Sequence, residues 1–333
     1  MLRKSTAIRL RQLLLRSHQK SSGFTLIEIL VSLLMAGIVM TGLMYLVVEL
    51  LRVDRRELGL EQVQRDMQRA MDYVSDDLRE AVYVYPDPST VAAQLTDLPA
   101  GTPVLAFWRP DFVDEANIPA NATCSTTYSG NIGACSALAA RRATYTLVVY
   151  VQSPTSGVWE GESRLVRYAL EQYPNSDPIT SNFAERTGYV DPISTGVGSV
   201  AEGTANFEAW TRDGSTTDGV SSVLVDFVDT PDFDATNAAD CSSNDFTGNA
   251  AYTVSPSTAT TTSSFIACVR DPNPTALSSG TVPDGRSGQD VFLFLRGDIN
   301  QEFMQPASEE SRLPSLQSRI LVRGVLDKEQ VDD

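Results

Sequence analysis

The chain has 333 residues, 26 basic against 42 acidic, for a formal net charge of −16. The length suits one large domain or two small ones. The acidity argues against direct nucleic-acid binding, where contacts to phosphate dominate affinity. A single histidine, His18, and the lack of any C-x-x-C, P-loop, G-x-S-x-G or H-E-x-x-H pattern leave catalysis and metal binding without a motif, so no enzyme activity and no cofactor are expected.

In chain order, residues 1–23 come first. They hold Arg3, Lys4, Arg9, Arg11, Arg16 and Lys20 and no acidic residue, which leaves 20 basic against 42 acidic residues in the remainder. From Phe24 to Val48 the chain is apolar with one charge, Glu28. A helix over 24–48 would be about 37 Å long, enough to cross a bilayer core of about 30 Å. Basic residues before the run place the N-terminus on the cytoplasmic side and the bulk of the chain outside. No A-x-A-like site follows Val48, so the run is not an ordinary cleaved secretory signal. A carboxylate at the depth of Glu28 costs about 2.5–3.5 kcal/mol on insertion scales. It needs a partner, protonation or an escape to the headgroups by snorkelling.

No proline occurs between Phe24 and Tyr85, so one helix is expected over 24–85. Leu60, Val63, Met67, Met71, Val74, Leu78 and Val82 recur every three or four residues and form one apolar face for a globular core. Glu61, Arg65, Asp66, Arg69, Asp76 and Glu80 lie opposite. "YPDP" at 85–88 is the expected stop. Beyond it, short β-branched and aromatic runs recur at 103–109, 143–151, 163–170, 221–229, 264–270, 290–297 and 318–326, with turn residues between them. They predict an antiparallel sheet packed on the helix, with long polar loops at 171–220 and 230–262. The fold class is α+β: residues 1–23 a leader, 24–85 the helix, 86–333 a β-rich head.

Four cysteines, Cys124, Cys135, Cys241 and Cys268, allow three pairings. Their order suggests bridges Cys124–Cys135 and Cys241–Cys268, and a head outside the cytoplasm favours disulfides over thiols. Asp229, Asp232, Asp234, Asp240 and Asp245 cluster in one loop; calcium takes six to eight oxygens, but the EF-hand spacing is missing, and a solvated acidic loop is the expectation. Arg296-Gly297-Asp298 has the letters of an adhesion motif, yet it follows "VFLFL" and reads as the turn that ends a strand.

"KSSGFTLIEILVSLL", residues 20–34, resembles the type III signal of type IV prepilins and type II secretion pseudopilins. The resemblance implies cleavage after Gly23 by a prepilin peptidase and methylation of the new amine on Phe24. It also implies pairing of Glu28 with the amine of a neighbouring subunit, which would relieve the cost of a buried carboxylate. The implied partners are other minor pilins or pseudopilins, a major pilin and an inner-membrane assembly platform. The implied locations are the inner membrane and then the filament. "MQRAMDYVSDDLREAVYVYP", residues 67–86, resembles the helix end of J-type pseudopilins and PilW-type minor pilins, where the pattern is L-x-x-D-L-R-x-A; here Val74 stands first, followed by Asp77, Leu78, Arg79 and Ala81. "FLRGDIN" and "SRILVRGVL" are similar to minor pilins of the cyanobacterial hormogonium polysaccharide secretion group. J- and W-type subunits sit at or near the filament tip. The rival readings are an anchored surface-binding protein with no filament and an anchored carboxylate-based hydrolase.

Overall fold

A computed structural model describes residues 23–154, 156–174, 178–179, 181–193, 207–229, 241, 252–256, 264–270, 289–298 and 315–322. The chain divides into two compact units, Met1–Arg55 and Arg56–Asp333. The first helix, α1, is Leu26–Arg79 and contributes to both.

In the first unit every described residue is exposed, including Leu26, Ile27, Leu33 and Ile38. One helix among the described residues, α1, is long and apolar enough to cross a membrane, and no part of its apolar window is buried. A core helix of a soluble domain would bury that window. Here the apolar surface must meet lipid or other protein.

The second unit is a β-rich body built on the C-terminal part of α1. A five-stranded antiparallel sheet runs β1 (Tyr83–Val84), β2 (Thr102–Phe112), β3 (Ala143–Pro154), β4 (Ser163–Leu170) and β5 (Val220–Val228), in that spatial order. A four-stranded antiparallel sheet follows: β6 (Tyr252–Ser255), β7 (Phe265–Arg270), β8 (Asp290–Arg296) and β9 (Ser315–Leu321). Three short helices, α2 (Pro88–Ala92), α3 (Asn121–Thr126) and α4 (Ile132–Arg141), lie in the connections. The architecture is α+β and consistent with a pilin-like fold.

The predicted stripe is the core contact. Val63, Met67, Met71, Val74 and Leu78 are buried with Val104, Leu105, Phe107, Val148, Tyr150 and Leu165 of the first sheet and Phe265, Ala267, Leu293 and Ile320 of the second. Leu60 is only half-buried. Gln289 joins β1 to the second sheet: its Oε1 accepts from Val84 N–H at 2.9 Å and its Nε2 donates to Val84 O at 2.8 Å.

Four expectations need correction. The helix stops at Arg79, not at the proline. Val82 N–H donates to Trp108 O at 2.8 Å and Tyr85 N–H to Ala106 O at 2.9 Å, so "VYVY" is drawn into the sheet. Its β-branched and aromatic residues favour that state, and Val82, the end of the predicted stripe, is only half-buried. The strands form two sheets rather than one. Tyr252–Ser255, inside the expected loop 230–262, is a strand, because four residues pair with β7 although they are too few to show a period. The helices α3 and α4 were unforeseen, though "ACSALAAR" carries the alanines that favour one. Of the last predicted strand, 318–326, residues 323–326 lie outside the described residues.

Candidate functional site

At the N-terminal end, Gly23 and Phe24 precede the helix and are exposed, and Phe24 presents 76% of its surface. A β-carbon at Gly23 would meet nothing within 4 Å, and its backbone is not left-handed. Nothing in this chain's own packing demands a glycine there. Thr25 precedes α1 as its cap: its carbonyl accepts from Glu28 N–H at 3.1 Å, and its hydroxyl lies 3.4 Å from the same nitrogen. "TLIE" is therefore also an S/T-x-x-E cap pattern, a signal the family resemblance had obscured. Glu28 stands in the first turn, where negative charge is favourable against the helix dipole. It is exposed, and its carboxylate has no ion-pair partner among the described residues.

At the other end of α1, the D-L-R-x-A pattern has a physical basis. Leu78 and Ala81 are wholly buried, while Arg79 is exposed and pairs with Asp76 at 2.6 Å. Asp77 is buried and is the focus of three donors from the sheet: Arg109 Nη1 at 2.5 Å, Arg167 Nε at 2.7 Å and Tyr150 Oη at 2.6 Å. These come from β2, β4 and β3, and Tyr150 and Arg167 are register partners on the face toward α1. Arg109 also reaches Asp111 at 2.7 Å, and Thr146 donates to that carboxylate at 2.5 Å. Burial, followed by the charge of Asp77, pushes the Tyr150 hydroxyl well above its ordinary pKa, so it remains a donor. A buried carboxylate is tolerated because three directional donors neutralise and saturate it. It aligns the end of the helix with three strands. Sequence alone could not assign this role, since Asp77 falls outside the predicted apolar stripe.

The structure joins Cys124 to Cys135, with Cα atoms 5.6 Å apart, and Cys241 to Cys268, 5.7 Å apart. The first bridge links α3 to α4 and packs with Leu138, Tyr173 and Phe183. The second ties residue 241 to the buried strand β7. Asp229 is buried and ion-paired with Arg296, whereas Asp232, Asp234, Asp240 and Asp245 lie outside the described residues. Among the described residues no group of three or more His, Cys, Asp and Glu is placed to hold a metal. Arg296-Gly297-Asp298 is a strand end folded into the core: Gly297 bridges Val228, Asp298 N–H donates to Phe227 O at 2.7 Å, and a β-carbon at Gly297 would overlap the Met67 sulfur. An adhesion loop must be exposed, and this triplet is mostly buried.

Residues 18–44 match the family described as the prokaryotic N-terminal methylation motif. The match supports a type IV pilin-like prepilin and, with the apolar exposed part of α1, suggests a membrane-anchored protein. It spans the end of the basic N-terminal stretch and the first turns of α1 and covers none of the β-rich body. No curated protein and no solved structure matches the chain.

Proposed function

We propose that this chain is a minor pilin or pseudopilin, a structural and non-enzymatic subunit at or near the tip of a type IV pilus or type II secretion-like filament. It is held in the inner membrane by residues 24–48 until incorporation, with its β-rich body outside the cytoplasm. A prepilin peptidase removes the leader after Gly23, and the amine of Phe24 is then methylated. Glu28 pairs with the amine of a neighbouring subunit, so that the cost of a carboxylate in an apolar surrounding is relieved only on assembly. The partners are other minor pilins, a major pilin and the assembly platform.

The observation that carries this reading is the methylation motif at 18–44 on an apolar helix that nothing else in its unit covers. Gly23 adds to it. A glycine that packing does not require is explained by an enzyme that must approach the backbone closely. The bulk of the body supports a tip position, because so large a unit would crowd a filament that repeated it at every step.

The test separates processing from assembly. Gly23→Val should leave the leader attached, as read by mass spectrometry of the N-terminus. Glu28→Ala should be inserted and cleaved normally but accumulate in the membrane, and sheared filaments should lack it. Glu28→Gln should fail almost as badly. Normal incorporation of both Glu28 variants would remove the pairing mechanism.

A further inference from the structure

A cleft of about 540 Å³ opens beside α4, bordered by the chain that follows β4. That size lies within the range of about 300–1,000 Å³ typical of small-ligand sites. Ala134 and Ala137 give it a shallow apolar wall without bulky side chains. The rest of its lining is polar and ordered. Arg141 offers both terminal nitrogens to Asp191, at 3.0 and 2.5 Å, and so holds that carboxylate flat at the edge of the cleft. Gln172, itself buried, donates to one oxygen of Glu185 at 2.8 Å, and the other has no hydrogen-bond partner among the described residues.

Tyr173 is the unusual member. Only 2% of its surface is exposed, and its ring packs edge-on against Phe183. Its hydroxyl has no hydrogen-bond partner among the described residues, and the residue lines the cleft. Tyr189, which also lines the cleft, is satisfied: it donates to Tyr145 O at 2.7 Å. The Tyr173 oxygen is not among the sealed, partnerless polar atoms of the described residues, so its donor opens on the cleft and can meet an acceptor there. Burial, followed by the charge of Glu185, holds the Tyr173 pKa above its ordinary value, so the group is a donor at neutral pH. Glu185 stands at the rim but is crowded enough that burial, and after it the charge of Asp191, keeps its carboxyl above the usual range, a setting that welcomes a donor. Arg212 is steadied by Gln94 O at 2.6 Å and Gly214 O at 3.3 Å and forms no ion pair among the described residues.

The cleft thus sets donors with capacity to spare, Tyr173 Oη and Arg212 Nη2, beside Glu185, one of whose oxygens Gln172 leaves open, with a carboxylate–guanidinium pair and small apolar residues alongside. Its acidic and basic groups nearly balance, which favours neither a strongly anionic nor a strongly cationic ligand. A neutral molecule whose neighbouring groups both donate and accept meets all of these requirements, and vicinal hydroxyls do so. We propose that the cleft lined by α4 together with Gln172, Tyr173, Glu185 and Arg212 binds a neutral polyhydroxylated ligand of the glycan class. The site does not depend on the filament role, because it lies wholly within the second unit.

The experiment uses the full chain in lipid nanodiscs, free of sugar detergents, with cellotetraose, maltotetraose and chitotetraose as probes, read by saturation-transfer NMR. At least one probe should receive saturation. Tyr173→Phe, which keeps the ring, and Glu185→Gln, which keeps the shape, should each weaken that binding roughly three- to tenfold while the melting temperature stays near that of the parent. The proposal is overturned if no probe receives saturation, if both variants bind like the parent, or if spermine rather than any sugar occupies the cleft, which would make it a cation site.

Discussion

The two faces of the five-stranded sheet are covered by different kinds of chain. One face receives α1, whose side chains Met67, Met71, Val74 and Leu78 meet Leu105, Phe107, Val148 and Leu165. The other receives α2 and irregular chain, and its packing is aromatic: Tyr83, Tyr85, Trp108 and Tyr168 meet Tyr189, Phe207 and Trp210. Trp108 and Trp210 stack edge-on with centroids 5.6 Å apart. The difference has a cause in the backbone. A helix satisfies its own N–H and C=O groups and can be covered by aliphatic side chains alone. Irregular chain brings unpaired carbonyls, each of which needs a donor when buried. Tyrosine and tryptophan supply apolar bulk and a donor together. Tyr85 donates to Phe207 O, Trp210 Nε1 to Val190 O at 2.8 Å, and Trp108 Nε1 to Tyr85 Oη at 2.9 Å.

The helix face should therefore fail globally and the aromatic face locally. The largest effect is expected from Asp77→Ala, which strands Arg167 and Tyr150 without their carboxylate. The loss should be about 3–5 kcal/mol, with one cooperative denaturant transition moved as a whole. A change below about 1 kcal/mol would mean that the three donors are satisfied elsewhere. Next, Trp210→Ala should cost about 3 kcal/mol, near the low end for a buried tryptophan because irregular chain can collapse around the gap. Its signature is local: limited proteolysis should cut between residues 207 and 219 while α1 and the sheets stay protected. If cleavage spreads evenly over the body, the two faces are one cooperative unit.

A smaller loss, about 2 kcal/mol, should follow the double change Cys124→Ser and Cys135→Ser, since that bridge closes a short loop remote from α1. Thermal melts of the parent with and without reductant, set against the double variant, check it. The smallest separate effect concerns alkali. Burial, ahead of neighbouring charges, raises the pKa of Tyr85, Tyr168 and Tyr189 on the aromatic face. A raised folded pKa means that the contribution is complete below about pH 10, the unfolded value, and is lost as pH climbs through the folded values. Stability should fall above pH 10, with tyrosinate absorbance lagging behind that of free tyrosine. Tyr85→Phe, Tyr168→Phe and Tyr150→Phe should each flatten the slope, since each removes one raised hydroxyl, and the pair Tyr85→Phe with Tyr168→Phe should flatten it more than Tyr150→Phe alone. An unchanged slope in the paired variant would mean that the aromatic face carries none of the alkaline loss.

Much of the first half of the molecule was legible in the residues. A 3.6-residue period repeats within a single segment, so the stripe from Val63 to Leu78 announces its own burial. The motif from Gly23 to Glu28 is contiguous, so its residues were named without any tertiary knowledge. The strands were visible because β-branched runs are local. The aromatic face was not legible: Trp210 and Tyr189 lie in a stretch read as a polar loop, and their partners in the sheet, Trp108 and Tyr145, are more than forty residues away in the chain. Asp77 illustrates the boundary between the two kinds of knowledge. Its place in a D-L-R-x-A pattern was evident, but not its function.

By itself, then, the sequence determined what depends on spacing along one segment: the apolar helix and its lone glutamate, the N-terminal methylation motif and the existence of β-structure. Tertiary structure decided what depends on convergence. It ended the helix at Arg79 by drawing Val82 and Tyr85 into hydrogen bonds with β2, and it divided the strands between two sheets. It also folded Arg296-Gly297-Asp298 into the core and gathered Arg109, Tyr150 and Arg167 around Asp77. The physical reason is the same in each case. Periodicity and capping are interactions among near neighbours, with energies that a short stretch encodes. A buried hydrogen bond between residues 73 or 90 positions apart forms only when the whole fold has brought both groups out of water.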